Sequence, residues 1–340
     1  MPPIHPAAQR TFLKSTWQRV IVGTLAVGLL LVVGFYAGPR NAFGPATPTP
    51  RAAPPPDIAQ LEPWLAQNEA AFTDIKPDNE KHITWAGAPG QRTAWSVVYL
   101  HGFSASRLET APLTDLVAKA LGANVFYTRL SGHGRSDAAM GDATVQDWLA
   151  DAQEALAIGR LLGDKVLVIS CSNGATLATW LEVHGDRKHI AGHVFISPNF
   201  APKDSRAEMI NGPWGHEIAF AVLGENRVST SPNAANGAAW TNSYPTKALF
   251  PMMALVKGVR DSDLNAFQSP LLALYSERDQ TVEPAQTKAA FARIGSSNKT
   301  LLAVDYSESQ GQHVIAGDLR APKATAPMAK TIIDWAKALP

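Results

Sequence analysis

A chain of 340 residues, 46% of them hydrophobic, is long enough to bury a large core in one α/β domain or two small ones. Thirty basic and 29 acidic side chains leave a net charge of +1, which gives no electrostatic case for a nucleic-acid partner. A single cysteine excludes an internal disulfide framework, and the spacing of the nine histidines suggests no zinc site, so neither metal nor other cofactor is expected.

Residues 20–37, VIVGTLAVGLLLVVGFYA, carry no charge. As a helix rising ~1.5 Å per residue they reach ~27 Å, enough to cross a bilayer core. Arg10, Lys14 and Arg19 precede them without an acidic residue, which predicts a basic cytoplasmic tail over 1–19. Trp17 and Tyr36 stand at the two ends, where interfacial aromatics belong. The expectation is a single-pass signal anchor, with the remainder on the periplasmic or extracellular side. The rival is a cleaved signal peptide and a secreted protein, but Phe35-Tyr36-Ala37 is a poor cleavage site and Ala42-Phe43-Gly44 a weak one. Residues 38–57 hold Thr47-Pro48-Thr49-Pro50 and Pro54-Pro55-Pro56. Such density of proline predicts an extended linker with little packing potential.

From 58 to 340 the pattern is that of one domain. A helix is predicted over 58–72, strands over 82–85 and 96–100 about a Gly-Ala-Pro-Gly turn, and a strand over 124–128. Val145, Trp148, Leu149, Ala152, Leu156 and Leu161 recur at helical spacing over 144–162. Further strands are predicted at 166–169, 193–196, 271–275 and 301–304, and a last helix at 325–339 with Thr325 as N-cap. Strands alternating with helices imply a mostly parallel sheet covered on both faces. Residues 197–269 show no clear strand, which is too long for a simple loop, so an inserted helical lid is expected at about 199–268.

Val166-Leu167-Val168-Ile169-Ser170-Cys171-Ser172-Asn173-Gly174 reads as a buried strand, a sharp turn and a helix start. Ser170-x-Ser172-x-Gly174 is a nucleophile elbow with Ser in place of the first Gly. The turn needs small residues two before and two after the nucleophile, because strand and helix backbones nearly touch there. Cys171 is the rival nucleophile, but its flanking positions would be Ile169 and Asn173, which do not fit. A serine hydroxyl needs a base, an acid to orient the base, and donors for the oxyanion. Asp279 follows the 271–275 strand, with Glu277 and Glu283 as rivals. Of the nine histidines, His313 alone lies downstream of that acid. The backbone N–H groups of Asn173 and Phe103 are the candidate oxyanion donors. His101 is read as a loop brace, and His133 as part of a loop packed behind the site.

Residues from about 96 to 339 resemble an α/β-hydrolase of the serine aminopeptidase S33 or monoacylglycerol-lipase-like group. The resemblance rests on Leu100-His101-Gly102-Phe103, Arg129-Leu130-Ser131-Gly132-His133-Gly134, the elbow, Asp279 and His313-Val314-Ile315-Ala316-Gly317-Asp318. Ser170 departs from the family's usual Gly. The resemblance implies a serine hydrolase acting by acyl transfer. Trp214, Trp240, Phe250, Met252 and Met253 in the lid favour an apolar acyl chain, such as an acylglycerol or a lysophospholipid. An aminopeptidase is the alternative and would need lid acids, from among Glu208, Glu217, Asp261 and Asp263, to hold a substrate ammonium. A non-catalytic, membrane-tethered binding module is the third reading.

Overall fold

Apolar runs rich in β-branched residues become the strands of a central sheet, and the segments between them become its helical cover. The computed structural model describes residues 7–340, with side chains from Trp17 onward. In chain order the elements are α1 (Ala7–Tyr36), α2 (Leu61–Glu69), β1 (His82–Thr84), β2 (Thr93–Leu100), α3 (Leu113–Leu121), β3 (Asn124–Tyr127), α4 (Val145–Leu162), β4 (Gly163–Cys171), α5 (Asn173–His184) and β5 (Ile190–Ile196). They continue with α6 (Gly215–Leu223), β6 (Asn226–Arg227), α7 (Ala234–Ala239), β7 (Tyr244–Pro245), α8 (Leu249–Asp261), β8 (Leu271–Tyr275), α9 (Pro284–Arg293), β9 (Lys299–Ala303) and α10 (Pro322–Lys337).

The main sheet has the order β1-β3-β2-β4-β5-β8-β9 and is parallel except for β1, which pairs antiparallel to β3. Side chains alternate between its faces. Val98, Leu100, Val166 and Val168 pack toward α4 and α5, with Trp148, Leu156 and Leu177. Val97, Tyr99, Leu167 and Ile169 pack toward α3 and α10, with Val117, Met328 and Ile332. Both faces are therefore covered, as a parallel sheet demands. The Thr144 hydroxyl accepts from the Asp147 N–H and the Asp147 carboxylate accepts from the Thr144 N–H, a reciprocal cap that starts α4 where the periodicity begins.

Three expectations need correction. The last helix starts at Pro322, not after Thr325. Proline's fixed φ suits a first helical position, and the Thr325 hydroxyl instead bonds inside the helix and accepts from the Gly317 N–H. The interval 197–269 is helical in the main but holds the ribbon β6–β7, whose two-residue strands are too short to leave a sequence pattern. The proline-rich segment is extended, yet it does not stand free. Asn41 donates to Asn211 Oδ1 at 3.0 Å and Phe250 O at 2.8 Å, and pairs with His216 Nε2 at 3.0 Å. Thr49 donates to Asp147 at 2.8 Å, and Arg51 pairs with Asp151. Proline removes donors but leaves carbonyls, and the Gln146 carboxamide takes those of Phe43 and Pro45.

Residues 17–36 of α1 have a mean hydropathy of 2.1 and none is buried. A helix this long and apolar fits a membrane span or a signal sequence. The predicted tail at 1–19 rests on Arg10, Lys14 and Arg19, of which Arg19 is exposed and the side chains of the other two lie outside the described residues.

Candidate active site

All the sequence-predicted catalytic side chains come to the carboxyl edge of the main sheet, where open α/β sheets bind ligands. Ser172 stands between β4 and α5, as the N-cap of α5, with φ 50° and ψ −115°. This is the positive-φ region that a side chain normally avoids. The surroundings hold it there. Its N–H donates to Ile196 O at 2.9 Å, and its carbonyl accepts from the Asn199 and Ala175 N–H groups, each at 3.1 Å. A Cβ on Gly174 would lie 2.0 Å from Leu100 O, so the second small position admits only glycine. The first is looser: Ser170 is buried, with its Oγ 3.4 Å from Val194 O.

His313 Nε2 lies 2.9 Å from Ser172 Oγ, and His313 Nδ1 lies 2.8 Å from Asp279 Oδ2. With Nδ1–H donating to the carboxylate, Nε2 is left to accept from the serine hydroxyl. Asp279 is 2% exposed, and its other oxygen accepts from the Thr281 and Val282 N–H groups at 2.7 and 2.9 Å. The Gln280 N–H donates to Gly311 O at 3.0 Å, which ties the acid's turn to the base's loop. The rival acids are engaged elsewhere. Glu277 pairs with Lys288 and accepts from Tyr275, and Glu283 caps α9 and pairs with Lys203.

His101-Gly102-Phe103 passes over Ser172, for a Cβ on Gly102 would lie 3.2 Å from Ser172 Cβ. Asn173 is the first residue of α5, so its N–H has no acceptor within the helix. His101 and His133 are fully buried, and desolvation first of all holds their imidazoles down, to about 3 and about 4. His101 bonds Gly102 O through Nδ1 at 2.9 Å and accepts from the Leu130 N–H at 3.0 Å, which is the brace expected. His133 packs on His101, Phe103 and Trp148. Burial, with Glu109 and Asp279 nearby, pushes the Cys171 thiol well up, so it stays protonated beside the elbow.

Glu109 has no counterpart in the sequence reading. It is 2% exposed and accepts from the Gly102 N–H at 2.7 Å and the Tyr99 hydroxyl at 3.0 Å. It thus pins the loop ahead of Phe103. Nothing in Arg107-Leu108-Glu109-Thr110 marks this acid as buried. Desolvation pushes its carboxyl from 4.5 up to about 7, against the opposing pull of the Gly102 N–H, Tyr99, His313 and Cys171. The folded protein therefore keeps a proton that the unfolded chain has lost between those values. Stability falls as pH rises through that window and levels above it. Glu109→Gln is expected to melt like the parent at pH 5 and above it at pH 8, by at most roughly 3 kcal/mol. Thermal melts at the two pH values check this, and an equal difference at both would exclude it.

Ser172 and His313 open onto a cleft of 410 Å³, with Asp279 buried behind them. Phe103, Trp240, Met252 and Val314 supply apolar wall, and Arg320 is its one Lys or Arg side chain. No carboxylate lines it among the described residues. A separate 460 Å³ cavity lies behind, where Arg129–Glu69 and Lys81–Glu154 pair with each other.

Comparison with known proteins agrees with this fold. A thermostable monoacylglycerol lipase of Bacillus sp. (strain H-257) is 27% identical over 206 residues, 61% of this chain and 79% of that protein. One of the metagenome-derived lipolytic enzymes LipS and LipT superposes with a TM-score of 0.58 at 20% identity, covering 77% of this chain and 99% of its own. The monoacylglycerol lipase of Paleococcus ferrophilus gives 0.54 at 17%, covering 76% and 98%. Residues 91–308 match the family model described as serine aminopeptidase, S33. The chain is an α/β-hydrolase fold protein of the S33 serine aminopeptidase family and a hydrolase of lipase or esterase type.

Proposed function

We propose that this protein is a membrane-anchored serine esterase that cleaves carboxylic esters with apolar acyl chains, monoacylglycerols and lysophospholipids among them. One observation carries the reading: the unbroken hydrogen-bonded series Ser172–His313–Asp279, whose first two members line a cleft with apolar walls. Ser172 Oγ attacks the ester carbonyl as His313 Nε2 takes its proton. Asp279 holds the imidazole tautomer and stabilises the imidazolium. The Phe103 and Asn173 N–H groups bind the tetrahedral oxyanion. His313 then returns the proton to the leaving alkoxide, and a water activated in the same way releases the acid.

Residues 58–340 are the catalytic domain in this reading, and the helical insertion at 199–268 is its lid, with Trp240, Tyr244 and Met252 on the cleft. Helix α1 is the uncleaved anchor, 1–19 its cytoplasmic tail, and the domain lies on the periplasmic or extracellular side. Support comes from the join: Trp214 Nε1 donates to Phe35 O at 3.1 Å, and Trp214 N–H donates to Pro39 O at 2.7 Å. The lid is thus bonded to the end of the apolar helix, which supports a reading in which the cleft works near a lipid surface.

The aminopeptidase alternative lacks its ammonium clamp. Glu208 pairs with Arg260, Asp261 with Lys257, Asp263 caps a turn, Glu217 is exposed, and none lines the cleft. A non-catalytic module has no use for the strained elbow. Detergent-solubilised full-length protein is expected to release fatty acid from monoacylglycerol, to ignore aminoacyl-arylamides and to take a fluorophosphonate label. Arylamide turnover exceeding ester turnover would transfer the assignment to the peptidase.

A further inference from the structure

The cleft carries a cation that the protein does not neutralise. Arg320 lies seven residues after His313, two before α10, and shares the cleft wall with Ser172 and His313. Its guanidinium stands 4.6 Å from the centre of the Trp240 ring. Among the described residues its side chain has no hydrogen bond and no carboxylate within 4.0 Å. Arg51 pairs with Asp151, Arg129 with Glu69, Arg135 with Asp74 and Arg260 with Glu208, and of the described arginines without a carboxylate partner Arg320 is the one on the cleft. Asp318, its nearest acid in the chain, is exposed and forms no ion pair with it. Burial lowers its pKa, with no neighbouring charge to offset that cost. A partly desolvated guanidinium costs free energy until an anion meets it.

Taking the esterase reading as given, we propose that Arg320 binds an anionic oxygen group of the substrate, a carboxylate or a phosphate, so that the preferred substrates are esters carrying one such anionic group. The guanidinium fork matches both anions in a bidentate geometry. Trp240 supports the flat face of the cation and so orients it. Phe103, Met252 and Val314 leave apolar wall in the same cleft for the acyl chain. The substrate is therefore amphiphilic, with its charge on one side of the scissile ester. The same cation repels an ammonium group, in keeping with the absence of peptidase features.

Two matched pairs of esters test this and separate the two sources of charge. The first is p-nitrophenyl butyrate against the mono-p-nitrophenyl ester of glutaric acid, with a carboxylate on the acyl side. The second is 1-decanoylglycerol against 1-decanoylglycerol 3-phosphate, with the charge on the alcohol side. The readout is the anionic-to-neutral ratio of kcat/KM, in which any general loss from misfolding cancels. In at least one pair, Arg320→Gln is expected to lower that ratio about ten- to a hundredfold, chiefly through KM. Arg320→Lys is expected to recover part of it, and added salt to lower it in the parent. An unchanged ratio in both pairs, with neutral ester still turned over by the parent, overturns the role of Arg320 and leaves the esterase reading intact. Failure of the parent on every ester would overturn the esterase reading itself.

Discussion

Alanine at Ser172 is expected to lower kcat on p-nitrophenyl butyrate by on the order of a millionfold and to abolish fluorophosphonate labelling. The size of the effect follows from what is removed. Ser172 Oγ is the atom proposed to bond the acyl carbon, and it is the group His313 Nε2 faces at 2.9 Å. Without it, the imidazole and the Asp279 carboxylate have nothing to activate except water, and the oxyanion donors alone account for a small residual rate. The fold should be untouched, because the Ser172 contacts that hold the elbow are made by its backbone N–H and carbonyl. An unchanged thermal melt beside lost turnover is the expected pair of results. Turnover above about a hundredth of the parent's would remove Ser172 from the chemistry.

Alanine at Gly174 is expected to be among the most damaging single-methyl changes in the domain, and the one that falls at the elbow. The added Cβ would stand 2.0 Å from Leu100 O, 2.6 Å from Leu100 C and 2.8 Å from His101 O. These are backbone atoms of β2 and the loop after it, so no rotamer change relieves the clash. Either α5 or the end of β2 must move, at a cost of about 3 kcal/mol or more. The same movement displaces Phe103 from the nucleophile, so kcat should fall about a hundredfold in whatever protein still folds, since a 1 Å misplacement can cost that much. Urea unfolding and the specific activity of the folded fraction check the two parts. A variant with parental stability and activity would mean that the close approach of strand and helix is not required.

The strands and most helices were legible because they are local. A β-branched apolar run such as Val166–Ile169 has to be a buried strand, and Thr144 three residues before Asp147 has to start a helix, whatever lies elsewhere. The proposed nucleophile, acid and base were legible for a related reason: each follows a strand of the parallel sheet, and order along the chain brings them to one sheet edge. Other features depended on partners far away in sequence. Glu109 and the rival Glu277 are both short acidic side chains in turns, yet one is sealed under Tyr99 and Gly102 while the other reaches Lys288. Arg320 is one arginine among many until its place on the cleft without a counter-ion can be seen. The proline-rich segment is extended by its composition, but whether an extended chain lies free or against a surface depends on Asn211, His216 and Asp147, up to 175 residues away. Periodicity and turn chemistry act over a few residues, and sequence order alone decided the elements and the order of the catalytic groups. Burial and charge pairing are properties of what packs alongside, so only the tertiary structure decided which acid was buried and which cation was left for a ligand.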